Sequence, residues 1–73
     1  MPIVFDYSEL KGRIISRYGN YAPLAKAAGL SRAQLSERLN NKVNFKPEDI
    51  CILCGLLGIA AEEIGKYFFT PKV

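Results

Sequence analysis

The chain has 73 residues, of which 49% are hydrophobic, and its formal net charge at pH 7 is +3. This length allows one small domain with a modest core, and the hydrophobic fraction excludes a disordered chain. No apolar run reaches the roughly 18 residues that a membrane-spanning helix needs. The first residues, MPIVFDY, lack the basic and long apolar regions of a secretory signal, so we expect a cytoplasmic protein with no membrane partner.

The basic residues are concentrated in the middle of the chain. Residues 11–46 contain eight lysines and arginines and a single acid, Glu37, whereas residues 1–10 and 47–73 are each net negative. A basic segment of this kind is the electrostatic footprint expected of a surface that binds nucleic acid. The alternative is that these charges only solvate the exposed faces of helices.

Apolar residues recur at helical spacing along the whole chain, and no segment alternates as a strand would. Five helices are predicted at about residues 6–18, 21–28, 32–40, 47–57 and 61–67, followed by a short tail at 68–73. Asp6, with Glu9 three residues later, is the predicted capping box of the first helix, and Asn20 is the predicted cap of the second. The predicted fold class is all-α, a single compact five-helix domain over residues 1–73.

The segment from Tyr21 to Lys42 contains the two helices that bear most directly on function. Gly29 is predicted to end the first of them, because the left-handed backbone conformation required there is most easily adopted by glycine. Ser31 and Gln34 form an S-x-x-Q capping box that begins the second. Two short helices joined by a tight turn are typical of a helix-turn-helix, whose second helix enters the major groove of DNA.

This segment resembles the helix-turn-helix of the lambda-repressor-like family. The residues that carry the resemblance are Ala25, Gly29, Leu30 and Leu35. The run from Ile50 to Ile64 is similar to the family's fourth and fifth helices, and the resemblance extends over residues 6–68. Among family members the chain looks most similar to small Cro-like proteins of phages of low-GC Gram-positive bacteria.

The resemblance implies a transcriptional regulator in the cytoplasm of the host cell. Such a protein would bind double-stranded operator DNA through helix 3, as a homodimer on two half-sites, and repress by occluding a promoter. The residues then predicted to contact bases are Ser31, Arg32, Ala33, Gln34, Ser36 and Glu37. The residues predicted to contact the DNA backbone are Tyr21, Arg38, Asn41, Lys42, Asn44 and Lys46.

Several of these residues have an alternative role. Arg32 suits a guanine edge in the major groove, but a phosphate contact or full solvation fits it equally well. For Glu37 an ion pair is the better prediction than a base contact, and for Gln34 the helix cap is the better prediction. Arg13 and Arg17, one turn apart on helix 1, are predicted to lie on a solvated face.

Cys51 and Cys54 form a C-x-x-C motif, which in other contexts binds zinc or acts in redox chemistry. The chain has no histidine and no second cysteine pair, so packing of both thiols in the core is the better prediction than a metal site. Because there is also no glycine-rich phosphate loop and no cluster of carboxylates on one face, we expect neither an enzyme nor a cofactor.

Helix 4 has more apolar residues than one buried face requires. Exposed apolar patches usually mark interfaces, and the residues predicted to form a dimer or partner surface are Ile52, Leu56, Phe68 and Phe69. This surface supports an alternative function, a modulator or antirepressor that binds a phage repressor of the helix-turn-helix class and alters its DNA binding. A DNA-binding regulator would depend on Arg32 and the basic loop, whereas a modulator would depend on the apolar surface.

Overall fold

The computed structural model describes residues 4–72, and all regular structure in this range is helical. The elements in chain order are α1 Ser8–Tyr18, α2 Tyr21–Ala27, α3 Arg32–Leu39, α4 Pro47–Leu57, a 3₁₀ turn Ala61–Glu63 and α5 Ile64–Phe68. The all-α, five-helix prediction is confirmed for the described part of the chain. Phe68 belongs to α5 and not to the predicted tail, whose last residue, Val73, lies outside the described range.

The ends of α2 and α3 follow from local sequence. Asn20 accepts a hydrogen bond from the backbone N–H of Ala22 at 2.9 Å, as predicted for an N-cap. The capping box between Ser31 and Gln34 is confirmed, with both of its hydrogen bonds present at 3.0 and 2.8 Å. Gly29 has a φ of 77° and closes α2, because the N–H groups of residues 29 and 30 return to helix carbonyls.

The start of α1 differs from the prediction. Asp6 accepts hydrogen bonds from the backbone N–H and the hydroxyl of Ser8, at 2.9 and 2.6 Å, and forms no capping box with Glu9. The helix therefore begins at Ser8, two residues later than expected. These two bonds hold the pKa of Asp6 below its ordinary value.

The core is built from one buried face of each helix. The largest fully buried side chains are Leu10, Ile14, Leu24, Leu35, Leu53, Leu57 and Phe68. Ala25, at 1% exposure, is buried in α2, which packs against α3. Of the two cysteines, Cys54 is buried beside Leu53 and Leu57, as predicted, but Cys51 is exposed, so the prediction that both thiols pack in the core is wrong for Cys51.

The two ends of the described chain lie side by side. Phe5 and Pro71 form an isolated antiparallel bridge, and Asp6 donates its backbone N–H to the carbonyl of Thr70 at 2.7 Å. The side-chain amide of Asn41 pairs with the backbone of Phe5, accepting from its N–H and donating to its carbonyl, both at 3.0 Å. This pairing fixes both chain ends beside the loop that connects α3 to α4.

None of the helices described in residues 4–72 is long and apolar enough to cross a lipid bilayer.

Candidate protein-interaction surface

The exposed face of α3 is polar, and half of its functional groups are used within the helix. Ser31 and Gln34 are bound to each other in the cap, and the Ser36 hydroxyl accepts a hydrogen bond from the Asn40 amide at 3.2 Å. Arg32, Ala33 and Glu37 are exposed. The six residues predicted to contact bases are therefore all on the exposed surface of the helix. Only the side chains of Arg32, Ala33 and Glu37 are not engaged in hydrogen bonds within α3.

The residues predicted to contact a DNA backbone have mixed environments. Lys42, Asn44 and Lys46 are exposed on the loop after α3, whereas Tyr21 is half-buried and packs against the core. Asn41 has a φ of 62° and serves as the left-handed residue that ends α3, while its side chain binds the backbone of Phe5. Asn41 is thus engaged inside the protein and does not point to an external partner.

Arg38 is also engaged inside the protein. Its side chain is buried, and its guanidinium donates to Asp49 at 3.0 Å and to the carbonyl of Gln34 at 3.0 Å. This is the one ion pair among residues 4–72. This geometry contradicts the prediction that Arg38 contacts a DNA backbone, since the charge of Arg38 is neutralised by a carboxylate of α4.

An aromatic groove opens between the paired chain ends, the loop after α3 and the start of α4. Its volume is about 390 Å³. The residues that line it are Phe5, Tyr7, Asn44, Phe45, Ile50, Phe68 and Phe69. These residues are distant in sequence. They meet here because the chain ends are hydrogen-bonded to each other and because Asn41 is hydrogen-bonded to Phe5.

The rings of the groove form three edge-to-face pairs, which the tilted pair of Phe5 and Tyr7, with centroids 6.1 Å apart, joins into one series. Phe69 packs against Phe5 with a centroid separation of 5.8 Å, and Tyr7 and Phe68 both pack against Phe45 at 5.3 Å. Such pairs are favourable beyond the area that they bury. Burial raises the pKa of Tyr7, so its hydroxyl remains neutral at physiological pH.

Phe69 is the outermost ring of this series. It is 51% exposed, the highest exposure among the large apolar side chains of residues 4–72. Phe68 is 1% exposed and is part of the core, so its prediction as a surface residue is wrong. The pattern Phe68-Phe69 gave no means of deciding which ring turns inward, because this depends on the short α5 and its packing.

The predicted surface on α4 is present only in part. Ile52 is 44% exposed, whereas Leu56 is half-buried and packs against the core. The sequence did not reveal the groove itself, because Phe5, Tyr7 and Phe45 lie in three separate segments. The available signal was the placement of aromatic residues near both ends of the chain.

The described residues thus define a small helical protein whose most distinctive surface is an aromatic groove. Comparison with known families shows that the chain belongs to a family described as a protein of unknown function (DUF739), whose model matches residues 3–71. No curated protein matches the chain.

Among solved structures, the chain is similar to the modulator of repression (MOR) of the temperate bacteriophage TP901-1 from Lactococcus lactis, determined in solution. The two chains are 38% identical, and their structures align with a TM-score of 0.78. The match covers 89% of this chain and 88% of that chain.

These matches correct the Cro-like interpretation. The matching family is not the lambda-repressor-like family, and the solved relative is a modulator of repression. The main prediction, a Cro-like repressor that binds operator DNA as a homodimer, is therefore wrong. The local signals in residues 21–42 correctly specify two helices and a tight turn, but a fold does not specify what binds to it. The DNA contacts assigned to α3 and the following loop depended on that interpretation, and the matches lend them no support.

Proposed function

We propose that this chain is a phage modulator of repression, which binds a repressor protein and alters the binding of that repressor to DNA. The observation that carries the proposal is the 38% identity to a phage modulator of repression over 89% of this chain. The apolar surface that such a protein needs is present in the aromatic groove. This is the alternative function that the sequence allowed.

We also infer that α2 and α3 form a helix-turn-helix unit. Three observations support this: the two helices pack on each other, Gly29 provides the left-handed turn, and Ser31 caps the second helix. In this proposal the unit has a structural role, because Asn41, two residues after the end of α3, holds Phe5 at the edge of the groove.

The aromatic groove is the surface that we assign to the repressor. Interface energy is concentrated in a few aromatic side chains that become fully desolvated on binding. Phe69 has the required properties, since it is half-exposed in the free chain and held at its inner edge by Phe5. An apolar side chain of the repressor entering the groove would contact Phe69, Phe45 and Ile50 together.

Binding of the purified repressor encoded by the same phage genome, measured by calorimetry, tests this proposal. We expect Phe69→Ser to weaken binding by at least about tenfold, which corresponds to the ~1.4 kcal/mol of a modest hot spot. Ile15→Ser is the matched control, because Ile15 is 45% exposed on α1 and does not line the groove.

The possible outcomes distinguish an error in the proposed function from an error in the assigned contact surface. If the wild-type chain does not bind the repressor, the proposed function is overturned. If it binds and the Phe69 variant binds equally well, the function stands and the groove is not the contact surface.

A further inference from the structure

We propose that the repressor contacts this chain with an acidic side chain close in sequence to the apolar side chain that enters the aromatic groove. The carboxylate of this acidic residue would lie in a second cavity, which adjoins the groove and is lined by Lys11 and Lys72. The inference rests on the proposed function and adds the chemistry of the segment that the repressor presents.

The second cavity, which we name the basic cleft, lies between the paired chain ends, the start of α1 and the end of α3. Its volume is about 460 Å³. Phe5 and Tyr7 line both the basic cleft and the aromatic groove. Because the same two residues form a wall of each cavity, the two openings adjoin, and one short segment of a partner can reach both of them.

The charged residues that line the basic cleft are Asp6, Lys11 and Lys72, so the cleft is net positive. The two hydrogen bonds from Ser8 are the main cause of the lowered pKa of Asp6, and the positive charges of Lys72 and Lys11 lower this pKa further. Both lysines therefore lie near this carboxylate, but neither forms an ion pair within residues 4–72. One positive charge of the cleft is left without a counterpart inside the described chain.

A carboxylate next to an apolar side chain is the chemistry that matches this pair of cavities. Lys11 is half-buried in the wall of the cleft, unlike a lysine that extends freely into water. The apolar centre of an interface is normally surrounded by polar groups, and complementary charges there fix the orientation of the partner and speed its association. The groove supplies the apolar centre, and the two amino groups supply the charge beside it.

The common wall of the two cavities limits the spacing of the two residues of the repressor. Side chains three or four positions apart on one face of a helix have Cβ atoms only about 5–6 Å apart. We therefore expect the acidic residue within about four positions of the apolar residue that enters the groove.

Cross-linking of this chain to the repressor of the same phage genome tests the position of the carboxylate. A carbodiimide joins an amine directly to a carboxylate that contacts it, and mass spectrometry then identifies both residues. We expect Lys11 or Lys72 to be joined to an acidic residue of the repressor that has an apolar residue within about four positions.

Removal of the two amino groups provides an independent test by calorimetry. We expect the double variant Lys11→Gln, Lys72→Gln to bind the repressor at least about fivefold more weakly at low salt. This difference should decrease at high salt, because salt screens exposed charges.

The matched control is the double variant Lys26→Gln, Arg32→Gln. It removes the same charge from two exposed side chains of α2 and α3, which line neither the groove nor the cleft. We expect this control to bind the repressor as well as wild type does. Circular dichroism checks that both double variants fold.

Two kinds of failure can be told apart. If the wild-type chain does not bind the repressor, the proposed function fails, and this inference fails with it. If the wild-type chain binds, three results would overturn this inference alone: equal binding by the variant without Lys11 and Lys72, an equal loss of binding in the control, or cross-links to the repressor only from other lysines.

Discussion

Asp49 connects two helices through a single carboxylate oxygen. This oxygen accepts hydrogen bonds from the guanidinium of Arg38 and from the backbone N–H of Lys46, both at 3.0 Å. The side chains of Arg38 and Asp49 are only 10% and 13% exposed. Burial alone would raise the pKa of Asp49, but the hydrogen bonds from Lys46 and Arg38 outweigh it and hold the pKa below its ordinary value. The pair thus fixes the end of α3 to the start of α4.

Removal of this carboxylate should be costly. We expect Asp49→Ala to lower the free energy of unfolding by about 3 kcal/mol, because the Arg38 charge is left buried without a partner. Denaturation by urea, followed by circular dichroism, measures the change.

Glu37→Ala is the control for this experiment, since Glu37 is exposed on α3 and has no ion pair within the described residues. Its effect should stay within about 0.5 kcal/mol. Equal effects of the two substitutions would show that the Arg38–Asp49 pair has no special structural role.

At the level of elements, the C-terminal end of α4 is stabilised by a residue of α1. Arg13 donates from Nε to the carbonyl of Leu57 at 2.9 Å and from Nη2 to the carbonyl of Gly58 at 3.0 Å. The last carbonyls of a helix have no partner within the helix, and a cation there also interacts favourably with the helix dipole. The prediction of a solvated face is therefore wrong for Arg13, which bridges two elements.

Loss of this bridge should weaken the fold measurably. We expect Arg13→Met to lower the free energy of unfolding by about 1.5 kcal/mol, through two lost charge-assisted hydrogen bonds. Arg32→Met is the control because Arg32 is exposed and makes no side-chain hydrogen bond among residues 4–72. If the free energy of unfolding of the Arg13 variant equals that of wild type, the role given to the bridge is contradicted.

Elements defined by neighbouring residues were predictable from sequence. The caps at Asn20 and Ser31 and the turn at Gly29 depend on residues within four positions, and all three are confirmed. The amide of Asn41 instead pairs with Phe5, which is 36 residues away. No local pattern contains such a contact, so the sequence alone predicts an external partner for Asn41.

At the level of the whole molecule, the aromatic groove is where tertiary structure creates a surface absent from any single segment. The chain ends contribute Phe5 and Phe69, the loop after α3 contributes Phe45, and α4 contributes Ile50. The sequence predicts both Phe68 and Phe69 on an interaction surface, but Phe68 is buried. Function was harder to predict, because the same small helical framework is compatible with binding DNA or binding a protein.

The most direct test of the proposed function is a gel-shift titration of the operator duplex with the repressor of the same phage genome. We expect addition of this chain to change the apparent affinity of the repressor for the duplex at least about tenfold, and Phe69→Ser to reduce that effect. We expect the chain alone to leave the duplex unshifted at physiological salt. The opposite result, a sequence-specific shift by the chain alone with repressor binding unchanged, would contradict the account.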